Sequence, residues 1–285
     1  MHLRRSVWLA LGAAILSAAC TPADPRPLLE RAREAYDAGD FARGASLYEQ
    51  AIAAGAKGQS PAYNAACCLA RAGRTDDAFR MLDEAARSGY REVDWLERDE
   101  DLASLRADPR WAAALVAMRQ VREAYLGRVN RELVLLYEED QADRDAEEIE
   151  WSVVGPRDEA RRKRVYDLIE ANALRAADDY YHAAMVLQHG SEPDDFARAH
   201  ELALRAAELD PDLPSARWLS AAAKDRHLHS LGRPQIYGTQ FRRDGNGPWT
   251  LDPIDESAVT DEERARWGVP SLAEAKERLR AMNGG

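Results

Sequence analysis

The sequence predicts a mainly α-helical protein in which an array of helical repeats precedes a helical domain with one small β-hairpin. Three observations support this prediction. Small residues recur with a 34-residue period in the N-terminal half. Apolar residues at helical spacing, with capping residues before them, recur in the C-terminal half. Residues 244–247 are rich in glycine and asparagine between two extended stretches, which is typical of a hairpin near 235–251.

Residues 1–19 have the features of a secretory signal peptide. A basic start precedes the thirteen uncharged residues from Val7 to Ala19, a segment too short to span a bilayer comfortably. The small residues before Cys20 resemble the lipobox of bacterial lipoproteins, in which this cysteine is acylated. Ser17 stands where the lipobox usually has leucine, so ordinary cleavage after Ala19 stays an alternative. We expect a location in a bacterial cell envelope, periplasmic or surface-facing, with membrane attachment only through a lipid on Cys20.

The prolines of residues 20–27 predict an extended tether after the signal peptide.

Charge and missing motifs exclude several classes of function. The net charge of −11 becomes −13 once Arg4 and Arg5 leave with the signal peptide. Such an acidic chain has no basic footprint for nucleic acid, so we expect no nucleic-acid partner. The sequence contains no phosphate-binding Gly-Lys-Ser/Thr loop, His-Glu-x-x-His helix or Gly-x-Ser-x-Gly elbow, and we predict no cofactor and no metal.

Residues 28–118 form the predicted repeat array and its closing segment. Gly39 and Gly73 are 34 residues apart, and Ala32 and Ala66 repeat the same spacing one helix earlier. The pattern resembles the tetratricopeptide repeat, which implies two antiparallel helices per unit and a surface for a peptide or an envelope protein. The large apolar residues of the closing segment are expected to be core: Trp95, Leu96, Leu102, Leu105 and Trp111.

The adjacent residues Cys67 and Cys68 lie among small residues of the second repeat. Neighbouring side chains diverge by about 100° on a helix, which is unsuitable for a disulfide between them. We therefore predict two buried structural thiols rather than a redox pair.

Residues 119–285 are predicted to form a second, mainly helical domain. We expect one long helix from about Arg119 to Arg144, and a second helix around 166–174. Three more are expected over about 180–188, 195–210 and 214–231. Capping boxes that begin at Thr260 and Ser271 predict two short helices at the end of the chain.

Residues 232–241, Gly-Arg-Pro-Gln-Ile-Tyr-Gly-Thr-Gln-Phe, combine turn formers with amide, phenol, hydroxyl and guanidinium groups. An Asp-Gln-x-x-Arg element at 140–144, His182, a Gln-His pair at 188–189 and an Asp-Arg pair at 225–226 precede them. Together these elements resemble an uncharacterised bacterial domain family, which implies a shared pocket but no established activity. We expect a small ligand there, with an arginine meeting an anionic group. The predicted ligand-binding residues are Gln141, Arg144, Gln188, Arg226, Gln235, Tyr237, Thr239 and Gln240.

Three functions remain open at this point. The favoured hypothesis is a protein-interaction or ligand-binding module without a defined reaction. The alternative is a hydrolase-like enzyme in which His182 or His189 is the general base and Asp225 orients it. Gln240 or Thr239 would polarise the substrate. Asp225 and His229, four residues apart on a helix, form a further candidate pair. A third hypothesis makes the polar groups a buried structural network. We favour binding because no complete catalytic constellation is visible in the sequence.

Overall fold

The computed structural model describes residues 25–58, 60–145, 148–211, 213–245 and 247–284. The predicted signal peptide, Cys20 and most of the tether lie outside these ranges. The chain divides between Glu123 and Ala124 into two compact units, called here the N-terminal and the C-terminal unit. No helix among the described residues has the length and apolar character needed to cross a membrane.

The N-terminal unit begins with two helical hairpins that repeat with the predicted period. Their helices are α1 Arg26–Asp37, α2 Phe41–Ala53, α3 Ser60–Arg71 and α4 Thr75–Arg87, so equivalent helices begin 34 residues apart. Gly39 and Gly73 adopt the left-handed conformation that ends a helix tightly, with φ of 74° and 72°. A Cβ atom at Gly44 would lie 3.0 Å from the Cys68 sulfur, so this small residue permits the close approach of the helices. The helical-repeat prediction is confirmed.

The closing segment comprises α5 Val93–Arg98, a 3-10 helix Glu100–Leu105 and α6 Arg110–Leu126. Its predicted core residues Leu96, Leu102, Leu105 and Trp111 are buried. The same prediction is wrong for Trp95, whose exposed fraction is 55%. Leu96 occupies the inward position of the short helix α5, and the preceding side chain on a helix points about 100° away from it.

Cys67 and Cys68 are buried free thiols, as predicted. Burial raises the pKa of the Cys68 thiol to about 11, and it raises that of Cys67 further. Thiols of this kind stay protonated at neutral pH and contribute to packing rather than to redox chemistry.

The C-terminal unit contains seven helices and one two-stranded sheet among its described residues. In chain order they are α7 Arg131–Ala142, α8 Trp151–Glu170, α9 Ala177–Gln188, α10 Pro193–Leu209, α11 Pro214–Ser230, β1 Phe241–Arg243, β2 Trp249–Leu251, α12 Asp261–Arg266 and α13 Leu272–Met282. Helix α10 packs against both α9 and α11, while α7 and α8 pack against α9. The core between them includes Leu133, Val165, Leu187 and Leu219. The mainly α fold with one small hairpin is therefore confirmed.

The single long helix expected over 119–144 is interrupted between Leu126 and Arg131. Asn130 caps the second half, because its side-chain oxygen accepts hydrogen bonds from the N–H groups of Glu132 and Leu133. The buried Asp179 on α9 accepts the backbone N–H of Asn130 at 2.7 Å. These two caps stabilise a break that apolar periodicity alone does not reveal.

The hairpin is shorter than predicted. Strands β1 and β2 pair antiparallel with Phe241 opposite Leu251, and residues 232–240 before them form a loop with one isolated bridge from Gln235 to Ile254. The two predicted terminal helices begin after the capping residues Thr260 and Ser271, whose hydroxyls accept N–H groups as expected.

Candidate functional site

Residues 232–240, called here the signature loop, lie against the fully buried side chain of Asp225 on α11. The Oδ1 atom of Asp225 accepts the N–H groups of Ile236 and Tyr237 at 2.8 and 2.9 Å. Its Oδ2 atom accepts the N–H and the hydroxyl of Thr239 at 3.0 and 2.8 Å. The carboxylate thus occupies the backbone donors that a strand would have used, which explains why this segment is a loop.

The side chain of Gln235 lies inside the signature loop and holds it closed by hydrogen bonds. Only 1% of the surface of Gln235 is exposed. Its Nε2 donates to the carbonyl oxygens of Gln240 and Asp252 at 3.0 and 2.9 Å, and its Oε1 accepts the N–H of Gln240 at 2.9 Å. The side chain of Gln240 then accepts from Nε of Arg226 at 3.3 Å. Through Gln240 the loop therefore helps to position Arg226.

An alternating chain of carboxylates and guanidinium groups joins α7 to α8. Arg144 lies 3.0 Å from the Asp140 carboxylate and 2.8 Å from that of Asp158. Arg161 pairs in turn with Asp158 at 2.7 Å and with Asp143. Each charge in this chain is compensated by its neighbours, as buried ions require.

His189 follows the last residue of α9 and meets this chain at Asp140. Its Nδ1 lies 2.9 Å from Oδ2 of Asp140, a residue with no exposed surface. The same carboxylate also accepts from Nε2 of Gln141 at 2.8 Å and pairs with Arg144. Because Asp140 acts as an acceptor, a neutral His189 carries its proton on Nδ1, and its Nε2 is left as an acceptor.

The side chain of Arg226 on α11 is held by neutral oxygen atoms and has no carboxylate partner among the described residues. Its Nη1 donates to the carbonyl oxygen of Gln188 at 2.7 Å, its Nε donates to Gln240, and its guanidinium lies 5.9 Å from the ring of Phe196. Its Nη2 has no hydrogen-bond partner among the described residues, and none of their carboxylates pairs with it. Burial, and secondarily the nearby charge of Arg144, lower the pKa of Arg226.

Five residues are linked in a closed circuit, in which each one contacts the next or adjoins it in the chain. The circuit is called here the polar ring and comprises Asp140, Arg144, Gln188, His189 and Arg226. Asp140 contacts Arg144 and His189, His189 follows Gln188 in the chain, and the carbonyl of Gln188 binds Arg226. Arg226 lies close enough to Arg144 for their charges to interact. The side chain of Gln188 is 5% exposed, and its Oε1 has no hydrogen-bond partner within the described chain.

The aromatic side chains of two predicted site residues, His182 and Tyr237, are not part of the polar ring. The buried ring of His182 stacks on Tyr137 at 4.4 Å between centroids, about two turns before His189 on α9. The ring of Tyr237 meets Trp267 edge-to-face at 6.5 Å. Tyr237 enters the network only through its backbone.

The predicted role of Asp225 in orienting a histidine is wrong. Its carboxylate holds the signature loop, and the carboxylate beside His189 is Asp140. The candidate pair of Asp225 and His229 is wrong for the same reason, since Nδ1 of His229 lies 3.3 Å from Asp252 instead. A spacing of four residues on α11 is compatible with a contact, but donors of the signature loop occupy the carboxylate of Asp225.

Sequence reasoning missed the contributions of Asp140, Asp158 and Arg161. Asp140 is named above only as part of the element at 140–144, and Asp158 and Arg161 have no assigned role, yet all three residues are buried. The usable signal was the Asp158/Arg161 spacing of three residues, together with the apolar residue Val165 one turn further along the same helix face.

In the N-terminal unit, a groove of about 280 Å³ is lined in part by Tyr63, Cys67, Asp99 and Asp101. One ligand atom each from Cys67, Asp99 and Asp101 lie within 4.8 Å of one another. Yet Asp99 already accepts the hydroxyl of Tyr63 at 2.5 Å and the thiol of Cys67 at 3.5 Å. Burial, then the Asp99 carboxylate, raise the pKa of Cys67. These side chains therefore already have hydrogen-bond partners within the groove, and Asp101 also accepts from Arg71 at 2.6 Å.

Comparisons with known proteins give no relative from which a function can be transferred. The chain matches no protein-family model, and no curated protein matches it significantly. Any proposal about function therefore depends on the geometry of the polar ring and the signature loop.

Proposed function

We propose that this protein is an exported helical-repeat binding protein whose C-terminal unit binds a small organic anion at Arg226. The uncompensated guanidinium of Arg226 supports this most directly. The half-buried Arg144 and the buried Arg161 have carboxylate partners, whereas the half-buried Arg226 has neutral oxygens on two nitrogens and none on Nη2. Taking a charge out of water without a counter-ion is costly, and an anionic ligand removes that cost.

A purely structural role explains part of this arrangement. Arg226 donates to a carbonyl at the C-terminal end of α9, where a cation interacts favourably with the helix dipole. That role uses Nη1, and with Nε bound to Gln240 it leaves Nη2 without an acceptor among the described residues. A planar guanidinium suits carboxylate or phosphate oxygens better than any other charged side chain. The proposal therefore assigns Nη1 and Nε to positioning and Nη2 to the ligand.

The test compares two variants that remove the same charge. Arg226→Gln deletes the proposed anchor, while Arg233→Gln removes an exposed arginine of the signature loop. We expect lactate and phosphate at millimolar concentration, but not an equal ionic strength of chloride, to raise the melting temperature of the mature protein. Arg226→Gln abolishes this rise and Arg233→Gln retains it. An equal rise in both variants contradicts the proposal.

Export and lipid attachment form the second part of the proposal. The basic start, the uncharged segment and the small residues before Cys20 support it. Metabolic labelling with palmitate in a bacterial host tests the anchor, because wild type incorporates the label and Cys20→Ala does not. Equal incorporation into both proteins contradicts acylation of Cys20. Ordinary cleavage after Ala19 then still accounts for export.

The N-terminal unit is proposed to bind an envelope protein or peptide. Its support is a groove lined by aromatic and charged residues beside the exposed ring of Trp95. Exposed tryptophan is enriched among residues that dominate protein interfaces. Pull-down from an envelope extract should recover a partner with wild type and with Val116→Ser, an exposed apolar control in the same unit, but not with Trp95→Ser. Recovery by all three proteins counts against this groove.

Hydrolysis is the second candidate function, and the Asp140–His189 pair supports it. A carboxylate on Nδ1 orients an imidazole and leaves Nε2 free to accept a proton, as a general base that activates water requires. In this version Asp140, rather than Asp225, is the positioning residue. A panel of p-nitrophenyl esters with anionic acyl groups tests the idea. Turnover that falls in His189→Ala supports it, and no His189-dependent turnover removes it in favour of simple binding.

A further inference from the structure

The polar ring presents two polar atoms of opposite kinds on partly exposed side chains. Nη2 of Arg226 is a charged donor. Nε2 of a neutral His189 is an acceptor, because Nδ1 faces Asp140. No side chain among the described residues binds either atom, and neither is buried, so both are accessible to a ligand. An inorganic anion without hydrogens satisfies the arginine and leaves the histidine unused.

The side chain of Gln188 gives an independent indication of the same requirement. Its Oε1 is buried and has no hydrogen-bond partner in the described chain, although its backbone carbonyl binds Arg226. An unsatisfied buried acceptor is destabilising, because it has lost its hydrogen bonds to water. Native proteins seldom retain such a group without a reason. Gln188 and His189 are consecutive, and Arg226 binds the backbone carbonyl of Gln188, so these two acceptors and this donor belong to neighbouring residues.

From this we propose that the ligand is a hydroxylated organic anion, with its negative group on Arg226 and a hydroxyl donating to Nε2 of His189. The inference rests on the proposed binding function and specifies the chemistry of its ligand. Arg144 and Asp140 act as positioning residues: Arg144 holds the Asp140 carboxylate, and Asp140 fixes the proton of His189 on Nδ1. A hydroxy acid satisfies both open positions, whereas a plain carboxylic acid satisfies one.

Lactate and propionate are suitable probes because they differ by a single hydroxyl. Their affinities for the mature protein can be measured by titration of backbone amide resonances at alkaline pH, where imidazole is neutral. One added hydrogen bond corresponds to roughly a fivefold difference in dissociation constant. We expect lactate to bind about fivefold more tightly than propionate in wild type. In His189→Phe the two ligands should bind equally.

The imidazole nitrogen resonances of wild-type His189 provide a second readout that needs no variant. Lactate should shift the Nε2 resonance and leave Nδ1 protonated, while propionate should shift neither. Equal affinities in wild type, both lost in Arg226→Gln, overturn the hydroxyl inference but leave anion binding intact. Binding of both probes that survives Arg226→Gln overturns the proposed function itself. A lactate preference that persists in His189→Phe also overturns the inference.

Discussion

Replacing Asp225 with asparagine should release the signature loop while leaving most of the fold intact. Asparagine has the same shape, so its oxygen still accepts the N–H groups of Ile236 and Tyr237, but without charge. Its NH2 group then faces the N–H of Thr239, where two donors oppose each other. The hydroxyl of Thr239, which donates to Asp225 in the wild type, can rotate and accept a hydrogen bond from this NH2 group. One charge-assisted bond is lost and two are weakened, which we estimate at about 2–4 kcal/mol.

Hydrogen exchange measures this local loss more directly than global unfolding does, because a chain of two units need not unfold in one step. The amides of residues 236, 237 and 239 should exchange about 30-fold to several hundredfold faster in Asp225→Asn, since each 1.4 kcal/mol corresponds to a factor of ten. Asp244→Asn is the matched control, because its side chain is 87% exposed. A change of less than about threefold at all three amides would refute the assignment of Asp225 as the support of the loop.

Three further predictions follow from local environments. Burial raises the pKa of the Cys68 thiol to about 11, so in Cys20→Ala Ellman's reagent at pH 8 should label neither Cys67 nor Cys68 until the protein is denatured; rapid labelling of this native variant contradicts the packing. Gly238→Ala should lower stability by more than Gly232→Ala: both have positive φ, but the new methyl at Gly238 meets Ile254 at 3.2 Å whereas that at Gly232 meets open space. Left-handed alanine alone costs about 1–2 kcal/mol, and urea unfolding midpoints compare the two variants. Burial lowers the pKa of His200 from 6.5. This side chain therefore favours folding above pH 6.5, and the benefit is lost as the pH falls through its folded pKa. Between pH 7.5 and 5.5 the stability of His200→Gln should fall less than that of wild type, and an equal fall is evidence against a buried neutral imidazole.

Most of the fold could be predicted because periodicity and capping are local signals. The 34-residue period gives the two helical hairpins, and Thr260 and Ser271 begin the last two helices as expected. The break at Asn130 was missed because part of its support comes from Asp179, which lies 49 residues away. Trp95 was misassigned because helix α5 has six residues, too few for an amphipathic pattern to show which face is inward.

The candidate site was predicted as a set of residues but not as an arrangement. Arg144, Gln188, His189 and Arg226 meet in the polar ring, whereas Gln235 and Gln240 support the signature loop. The sequence could not show that four loop donors occupy Asp225, because that contact depends on the three-dimensional path of the loop. The consequence is that Asp140, rather than Asp225, is the partner of the histidine.

The central claim is that Arg226 is an anion-binding residue, and its side-chain NMR signal tests this most directly. The Nε–Hε resonance of Arg226 can be assigned by its disappearance in Arg226→Gln. During titration of the mature wild-type protein with lactate, we predict a saturable shift of this resonance while that of Arg233 stays in place. A resonance of Arg226 that does not move, or moves in parallel with Arg233 and without saturation, contradicts the claim.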